Sequence, residues 1–369
     1  MSGGVVAADA IRVRVPFRRA IATASGTWTH RQSWIVRLWD AGGAVGLGEA
    51  ALDFDSGESA AELARLIRLA VDGPAGGGRL PAAAELEAAG VPGRAFRCAL
   101  DTALLDLRLR AMPRAGGLRS VAVNATIGFL GLRESAAAAR AAVAAGFGTI
   151  KMKVGPERDT AELVERVAAV RRAIGPRVRL RLDVNGAWDV ATARKRIAAA
   201  ARCDVEFVEQ PVAAGDPRDL AAVRDGSPVP IAADESVSSV AAARELLEAG
   251  AADVLVVKPA RVGGPEAARE IAALGAAEGV PAVVSTLFET GVGLAAALGV
   301  AAGLPSVAGR ANDLAHGIAT ADMLESDLLV RPLQIVAGRM IVPEGPGLGI
   351  ALDEDALRRY AVEKLGTRR

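Results

Sequence analysis

Of the 44 Lys and Arg residues in this 369-residue chain, only five are lysines: Lys151, Lys153, Lys195, Lys258 and Lys364. Three of them fall inside short apolar runs that read as buried strands, Thr149-Ile-Lys-Met-Lys-Val154 and Val254-Leu-Val-Val-Lys-Pro259. Arg stays protonated in proteins, whereas a Lys held out of water can lose its proton and act as a base. Lys at these positions, in a chain that uses Arg almost everywhere else, points to proton transfer. Carboxylates stand at matching places: Asp183 with Asn185, Glu209, and Asp234 with Glu235. Asp183, Glu209 and Asp234 are 26 and 25 residues apart, one strand-plus-helix unit each, which sets them side by side on neighbouring strands.

Three converging carboxylates with no His or Cys beside them form a hard oxygen site. It suits Mg²⁺, with Mn²⁺ accepted by the same ligands, rather than zinc. Taken singly, each acid would read as a helix cap and each lysine as a structural ion pair; together, at successive strand ends, they read as one site. Lys151 and Lys153 are two apart on a strand and face the same way. Their repulsion is expected to push one of them from about 10.4 toward neutrality, as a general base requires. The chemistry this implies is metal-assisted proton abstraction.

The elements that position these groups follow from the pattern. Residues 11–48 alternate apolar and polar in patches, with Gly42-Gly43 as a turn, and read as antiparallel strands. Helical spacing covers 59–71 and 94–112. From Val121 the pattern changes to strands at 121–127, 148–154, 178–185, 205–210, 230–235, 254–259, 282–288 and 306–312, separated by Ala-rich amphipathic runs. These strands are apolar on both faces, which implies a parallel sheet covered by helices. About eight consecutive units favour an α/β fold closed as a (β/α)₈-type barrel, whose active groups stand at the C-terminal strand ends. No Gly-x-Gly-x-x-Gly follows a strand, so a dinucleotide-binding fold has no support. Turn chemistry from Pro332 onward, including Pro343-Glu-Gly-Pro-Gly-Leu-Gly349, predicts a segment that packs back on the N-terminal unit. The expected division is 1–115, 116–330 and 331–369.

A net charge of +1 and 3% aromatic residues give no case for nucleic acid or an anionic membrane surface. No run reaches the roughly 18 apolar residues of a membrane span, and the start lacks a basic stretch followed by a long apolar one. Cys98 and Cys203 read as buried free thiols. A cytoplasmic location is expected. His30 and His316 read as lid or loop residues rather than ligands, and Phe17, Trp28 and Trp34 as N-terminal packing.

The ordered motifs Lys151-Met-Lys153, Asp183-Val-Asn185, Val208-Glu-Gln-Pro211, Asp234-Glu-Ser236 and Lys258-Pro259 with Val262-Gly-Gly264 resemble those of the enolase superfamily, in its muconate-lactonizing subgroup. Such sites use a Lys or His base with Mg²⁺. The resemblance implies a barrel with an N-terminal capping domain completed by the C-terminal segment, and often a homo-oligomer. It implies that Asp183, Glu209 and Asp234 bind Mg²⁺ and that Lys153 takes the proton α to a carboxylate. Lys151 would tune that base, and Asn185 and Glu235 would orient the ligands and lysines. Loops at 20–27 and 50–58 would form the lid over a small-molecule carboxylate.

Val123-Asn-Ala-Thr-Ile-Gly128, Ser285-Thr-Leu-Phe-Glu-Thr-Gly-Val-Gly293 and Gly317-Ile-Ala-Thr-Ala-Asp-Met-Leu324 are similar to segments of o-succinylbenzoate synthases of menaquinone biosynthesis. Ser285 and backbone amides around Gly291 would there hold the succinyl carboxylate. Lys258 would stabilise the intermediate by charge, whereas in an N-acylamino acid racemase it would deliver a proton. Dipeptide epimerases carry Asp-x-Asp at the eighth strand end; here the stretch reads Ala311-Asn-Asp-Leu314. The mandelate-racemase subgroup needs a His at the seventh strand end, where this chain has Ser285-Thr-Leu-Phe288. A barrel that binds without turnover is the reading from another class, and the intact lysine and carboxylate set opposes it.

Overall fold

The computed structural model describes residues 5–23, 26–52, 57–71, 81–112, 119–307 and 314–366. Three long strands open the chain: β1 (Val5–Thr23), β2 (Gly26–Asp40) and β3 (Val45–Ala50). After two helices, Gly57–Val71 and Gly90–Arg110, come β4 (Ser120–Ala122), β5 (Ala125–Ile127), β6 (Thr149–Lys153), β7 (Arg179–Asp183) and β8 (Val205–Glu209). There follow β9 (Ile231–Ala233), β10 (Val254–Val257), β11 (Ala282–Val284), β12 (Ile335–Val336), β13 (Arg339–Ile341) and β14 (Ala361–Leu365). A short helix, Ala83–Ala88, lies between the two helices named above.

The period of two in β1 and β2 explains how the first sheet is used. Ile11, Val13, Val15 and Ile35 fall in one buried cluster with residues of the barrel, while Ala10, Trp34, Val36 and Leu38 pack with the helices Gly57–Val71 and Gly90–Arg110. One face therefore docks on the barrel and the other carries its own helical layer. The strand order is β14-β1-β2-β3, so the last strand of the chain pairs antiparallel with the first.

The second sheet runs β5 to β11 in sequence order, parallel throughout. Residues 306–312 are expected as its eighth strand, but 308–312 lie outside the described residues. The ring is closed instead a few residues later. His316 N donates to Ala122 O at 2.8 Å, Asn124 N to His316 O at 2.9 Å, and Gly317 N to Val284 O at 2.8 Å, with parallel bridges Val123–His316 and Ser285–Gly317. His316 is thus part of the barrel wall, 7% exposed, and not a lid or loop residue. Its Nδ1 accepts from Val284 N at 3.1 Å.

The expected first strand, 121–127, divides in two. β4 pairs antiparallel with β13 of a C-terminal hairpin, and β5 joins β6 in the barrel. The covering helices start on Asp159, Asp189, Asp216 and Ser239, whose side chains accept from backbone N–H groups of the first turn. These caps are not Asp183, Glu209 or Asp234, which removes the helix-cap reading of those three. Among the described residues no helix is long and apolar enough to cross a membrane. Cys98 and Cys203 are buried free thiols.

Candidate active site

Register places the chemistry on one rung. Lys153 pairs with Asp183 across β6 and β7, and Asp183 with Glu209 across β7 and β8. Asp234 follows β9, and Lys258 follows β10 as the N-cap residue of a helical turn, Pro259–Val262. β6 and β10 are four strands apart in a ring of eight positions, so Lys258 faces the Lys151/Lys153 wall across the carboxylates.

The contacts are tight. Lys151 Nζ lies 2.9 Å from Asp183 Oδ2 and 2.8 Å from Glu209 Oε1. Lys153 Nζ donates to Asp183 Oδ2 at 2.7 Å and to Asn185 Oδ1 at 2.5 Å. Asn185 Nδ2 in turn donates to Glu235 Oε1 at 2.9 Å. On the far wall Lys258 Nζ donates to Asp234 Oδ2 at 2.6 Å, and Arg261 Nη1 to Asp234 Oδ1 at 2.7 Å. Exposure separates the lysines: the side chain of Lys153 is 25% exposed, against 9% for Lys151 and 11% for Lys258. Lys153 is the most accessible of the three.

Burial alone would neutralise these acids, but the cations decide otherwise for two of them. Burial raises the Asp183 carboxyl, yet Lys151 and Lys153 outweigh it and hold Asp183 well below the usual range. Burial likewise opposes ionisation of Asp234, and Lys258, Arg261 and Lys151 overcome it. Glu209 goes the other way, pushed up to about 8 by burial and by the charges of Asp183 and Asp234. Glu235 is also raised, by burial first and then by Asp234. The expected depression of a lysine is reversed at Lys151. Burial favours the neutral amine there, but Asp183, Glu209 and Asp234 together hold it protonated, above the ordinary lysine range. Repulsion from Lys153 is outweighed by nearer and more numerous carboxylates.

Among the described residues no group of three His, Cys, Asp or Glu side chains converges so as to hold a metal ion, the carboxylates being turned onto the lysines. The donor set nonetheless fits a hard divalent cation. Asp183, Glu209 and Asp234 are each at most 2% exposed, and the crowding of negative charge raises Glu209. Close by, the buried Glu235 Oε2 has no hydrogen-bond partner.

Other expected residues fall as follows. Ser285, 5% exposed, sits at the end of β11 with its hydroxyl donating to Gly317 O at 3.2 Å. Gly291 is the first residue of the helix Gly291–Ala301. Its N–H already donates to Asp327 O at 2.8 Å, and a Cβ there would meet Leu329 at 2.4 Å. Its amide is therefore taken up by the fold. Of the expected lid, residues 24–25 and 53–56 lie outside the described residues, as do 311–313. Phe17, 6% exposed, meets Phe288 edge to face at 5.9 Å.

Two groups at the site escape the sequence reading. Arg261 is three residues after Lys258, and the helical turn brings it back over Asp234; helix Gly90–Arg110 secures that turn through Arg94 Nε, which donates to Arg261 O at 3.1 Å. Gln210, with φ 40°, accepts on Oε1 from Asp234 N at 2.9 Å and Ser236 N at 3.1 Å. The only sequence signal for either was adjacency to a motif.

A parallel barrel with buried carboxylates at its mouth, between lysines on facing walls, is an enzyme scaffold. Comparison with known proteins agrees. Residues 134–356 match the family model for enolase C-terminal domain-like proteins. The chain is 45% identical over 221 residues to an o-succinylbenzoate synthase of Thermobifida fusca (strain YX), covering 59% of this chain and 65% of that protein, just under two thirds of its length. It is 30% identical over 362 residues to an L-Ala-D/L-Glu epimerase of Bacillus subtilis (strain 168), covering 94% and 96%. A solved muconate lactonizing enzyme of Pseudomonas fluorescens, complexed with muconolactone, superposes with a TM-score of 0.83 at 25% identity, covering 98% and 100%. This chain belongs to the enolase superfamily.

Proposed function

We propose that the chain is an o-succinylbenzoate synthase, which removes water from a succinyl-hydroxycyclohexadiene carboxylate in menaquinone biosynthesis. The observation that carries this reading is the 45% identity to the Thermobifida fusca o-succinylbenzoate synthase, against 30% for the epimerase. Asp183, Glu209 and Asp234 would hold Mg²⁺, or Mn²⁺ in its place, which when bound supplies positive charge to the substrate carboxylate as its α-carbon loses a proton. Lys153, the most exposed of the three lysines, takes that proton once it is neutral, with Asn185 and Asp183 fixing its Nζ. Protonated Lys153 then passes a proton to the departing hydroxyl on the same face, so that dehydration is syn and the ring becomes aromatic. Lys151 keeps its charge and faces the carboxylate. Lys258 stabilises the forming ring from the opposite wall. Ser285, at the seventh strand end, would meet the succinyl carboxylate.

The test is direct. Purified protein with Mg²⁺ should convert the cyclohexadiene to o-succinylbenzoate, with the loss of activity in EDTA reversed by Mg²⁺; no conversion above background would remove the proposal. A racemase of N-acylamino acids or an epimerase of dipeptides is the second reading, favoured by the near-complete coverage of the epimerase and by lysines on both walls. It requires exchange of the substrate α-hydrogen with deuterated water, and a panel of N-acylamino acids and dipeptides without exchange excludes it.

A further inference from the structure

The N-terminal end of the barrel, remote from the carboxylates, holds a cavity of about 570 Å³ lined by Arg119, Arg177, Arg179, Arg339 and His316 among others, with no Asp or Glu among the described lining residues. These arginines come from distant parts of the chain: the start of β4, the turn into β7, β7 itself and β13. Two of them are held by the protein in ways that leave donors over. Arg119 Nη2 bonds to Ala302 O, and Arg339 donates from Nε to Ser120 Oγ at 2.9 Å and from Nη2 to Ser120 O at 2.8 Å. A guanidinium has five N–H groups in a planar fork.

A fifth guanidinium stands just inside. Arg181 is two residues beyond Arg179 on β7, on the same strand face, and only 1% exposed. Its Nη1 donates at 2.6 Å to the carbonyl of Ala315, a cavity-lining residue. Its Nη2 is buried with no hydrogen-bond partner. Glu206, turned inward where the register between β7 and β8 shifts, bonds Arg181 Nε at 2.5 Å and lies 3.5 Å from Arg179. Glu206 thus meets two of these guanidiniums, and the described lining of the cavity itself supplies no carboxylate. Like charges gathered round one cleft repel, and an anion bound among them relieves that repulsion. Arginine forks match the paired oxygens of phosphate and carboxylate groups.

We propose that this cavity is a second ligand site, separate from the mouth, that binds a small polyanion through Arg119, Arg177 and Arg339. The volume lies within the range of small-molecule sites, roughly 300–1,000 Å³, and exceeds what one orthophosphate fills. The ligand class is therefore a molecule with two or more oxyanion groups, phosphate or carboxylate.

The test uses the full chain and two probes, pyrophosphate and citrate, against sodium chloride at matched ionic strength. At about 100 times its Kd a specific probe should raise Tm by roughly 2–4 °C, saturably, and titration calorimetry should give one site. Arg177→Gln combined with Arg339→Gln should weaken binding at least about tenfold and leave turnover at the mouth within about twofold. Arg177→Gln alone, at an exposed position, serves if the double variant does not fold. A response to pyrophosphate alone identifies a phosphorylated ligand, and to citrate alone a polycarboxylate. Equal responses support the site with charge as its sole criterion. The proposal is overturned if chloride reproduces the shift, if neither probe binds, or if the arginine variants bind as the parent does.

Discussion

The mouth and the base of this barrel handle buried charge in opposite ways, and a single strand spans both. β7 turns Arg179, Arg181 and Asp183 to the same side, so the sign of the charge inverts within five residues. At the mouth, every lysine touches a carboxylate at 2.9 Å or less, and the cations, Arg261 apart, are lysines, able to give up a proton. At the base the cations are arginines, which do not, and carboxylates are scarce among the described residues. The mouth pairs cations that can titrate with acids; the base gathers cations that keep their charge.

Swapping the two cation types is the strongest way to break this contrast. Lys153→Arg preserves positive charge but removes the base, and should lower kcat by at least about 10³-fold, with circular dichroism and Tm close to the parent. The reciprocal Arg179→Lys at the base should leave kcat within about twofold. If Lys153→Arg kept more than a tenth of the activity, Lys153 would not be the base and the mouth would differ from the base only in composition.

The next effect concerns how the mouth is held. Glu49 of β3 reaches across to the barrel, accepting from Thr290 N at 3.0 Å, Thr290 Oγ1 at 2.7 Å and Gly293 N at 2.9 Å, as well as from Ser33 Oγ at 2.7 Å. It caps the helix Gly291–Ala301 from another layer of the fold. Glu49→Ala strands several buried donors and should cost about 2 kcal/mol in denaturant unfolding. A cost below about 0.5 kcal/mol would mean that the antiparallel layer does not hold the mouth through this residue.

How far this was legible depended on repetition. Lys151, Lys153, Asp183, Glu209, Asp234 and Lys258 could be placed because each ends a strand in a regular strand–helix series, and the structure sets them round one mouth. The closing bridges were not legible because their residues, His316 and Gly317, follow no apolar run; they join the wall by one bridge on each side. The splitting of 121–127 depends on a hairpin more than 200 residues later, which no local pattern announces. Arg181 and its partner Glu206 are brought together by a register shift that spacing arguments pass over. The Lys151 expectation failed for an electrostatic reason, since it weighed one like charge and left out three opposite ones. Gly291 looked available because the sequence does not show that Asp327 O already takes its N–H.

Lys258→Arg sharpens the comparison further, because it keeps charge on the far wall while removing proton delivery. If Lys258 only stabilises charge against the forming ring, the variant keeps that cation and should lose less than about 30-fold in kcat, the upper end of a cation–π contact. Loss of more than about 10³-fold would instead assign proton transfer to both walls and favour the racemase reading.

The smallest effects are in the pH dependence of stability, where the two ends should have slopes of opposite sign. At the base, burial and then the charge of Arg181 push His316 down to about 4 from 6.5. Between those values the unfolded chain binds the proton and the folded chain does not. The contribution of His316 is therefore complete above pH 6.5 and is lost as the pH falls through 4. Toward the mouth, Glu289 is pushed up to about 7 from 4.5 by burial, with Arg31 opposing and Glu49 adding to the rise. There the folded chain holds the proton, so the contribution is complete below pH 4.5 and is lost as the pH rises through 7. Denaturant midpoints from pH 4 to 8 should show His316→Gln removing a rise of stability with pH between 4 and 6.5, and Glu289→Gln removing a fall between 4.5 and 7. If the two variants changed the slope in the same direction, the electrostatic separation between mouth and base would be lost.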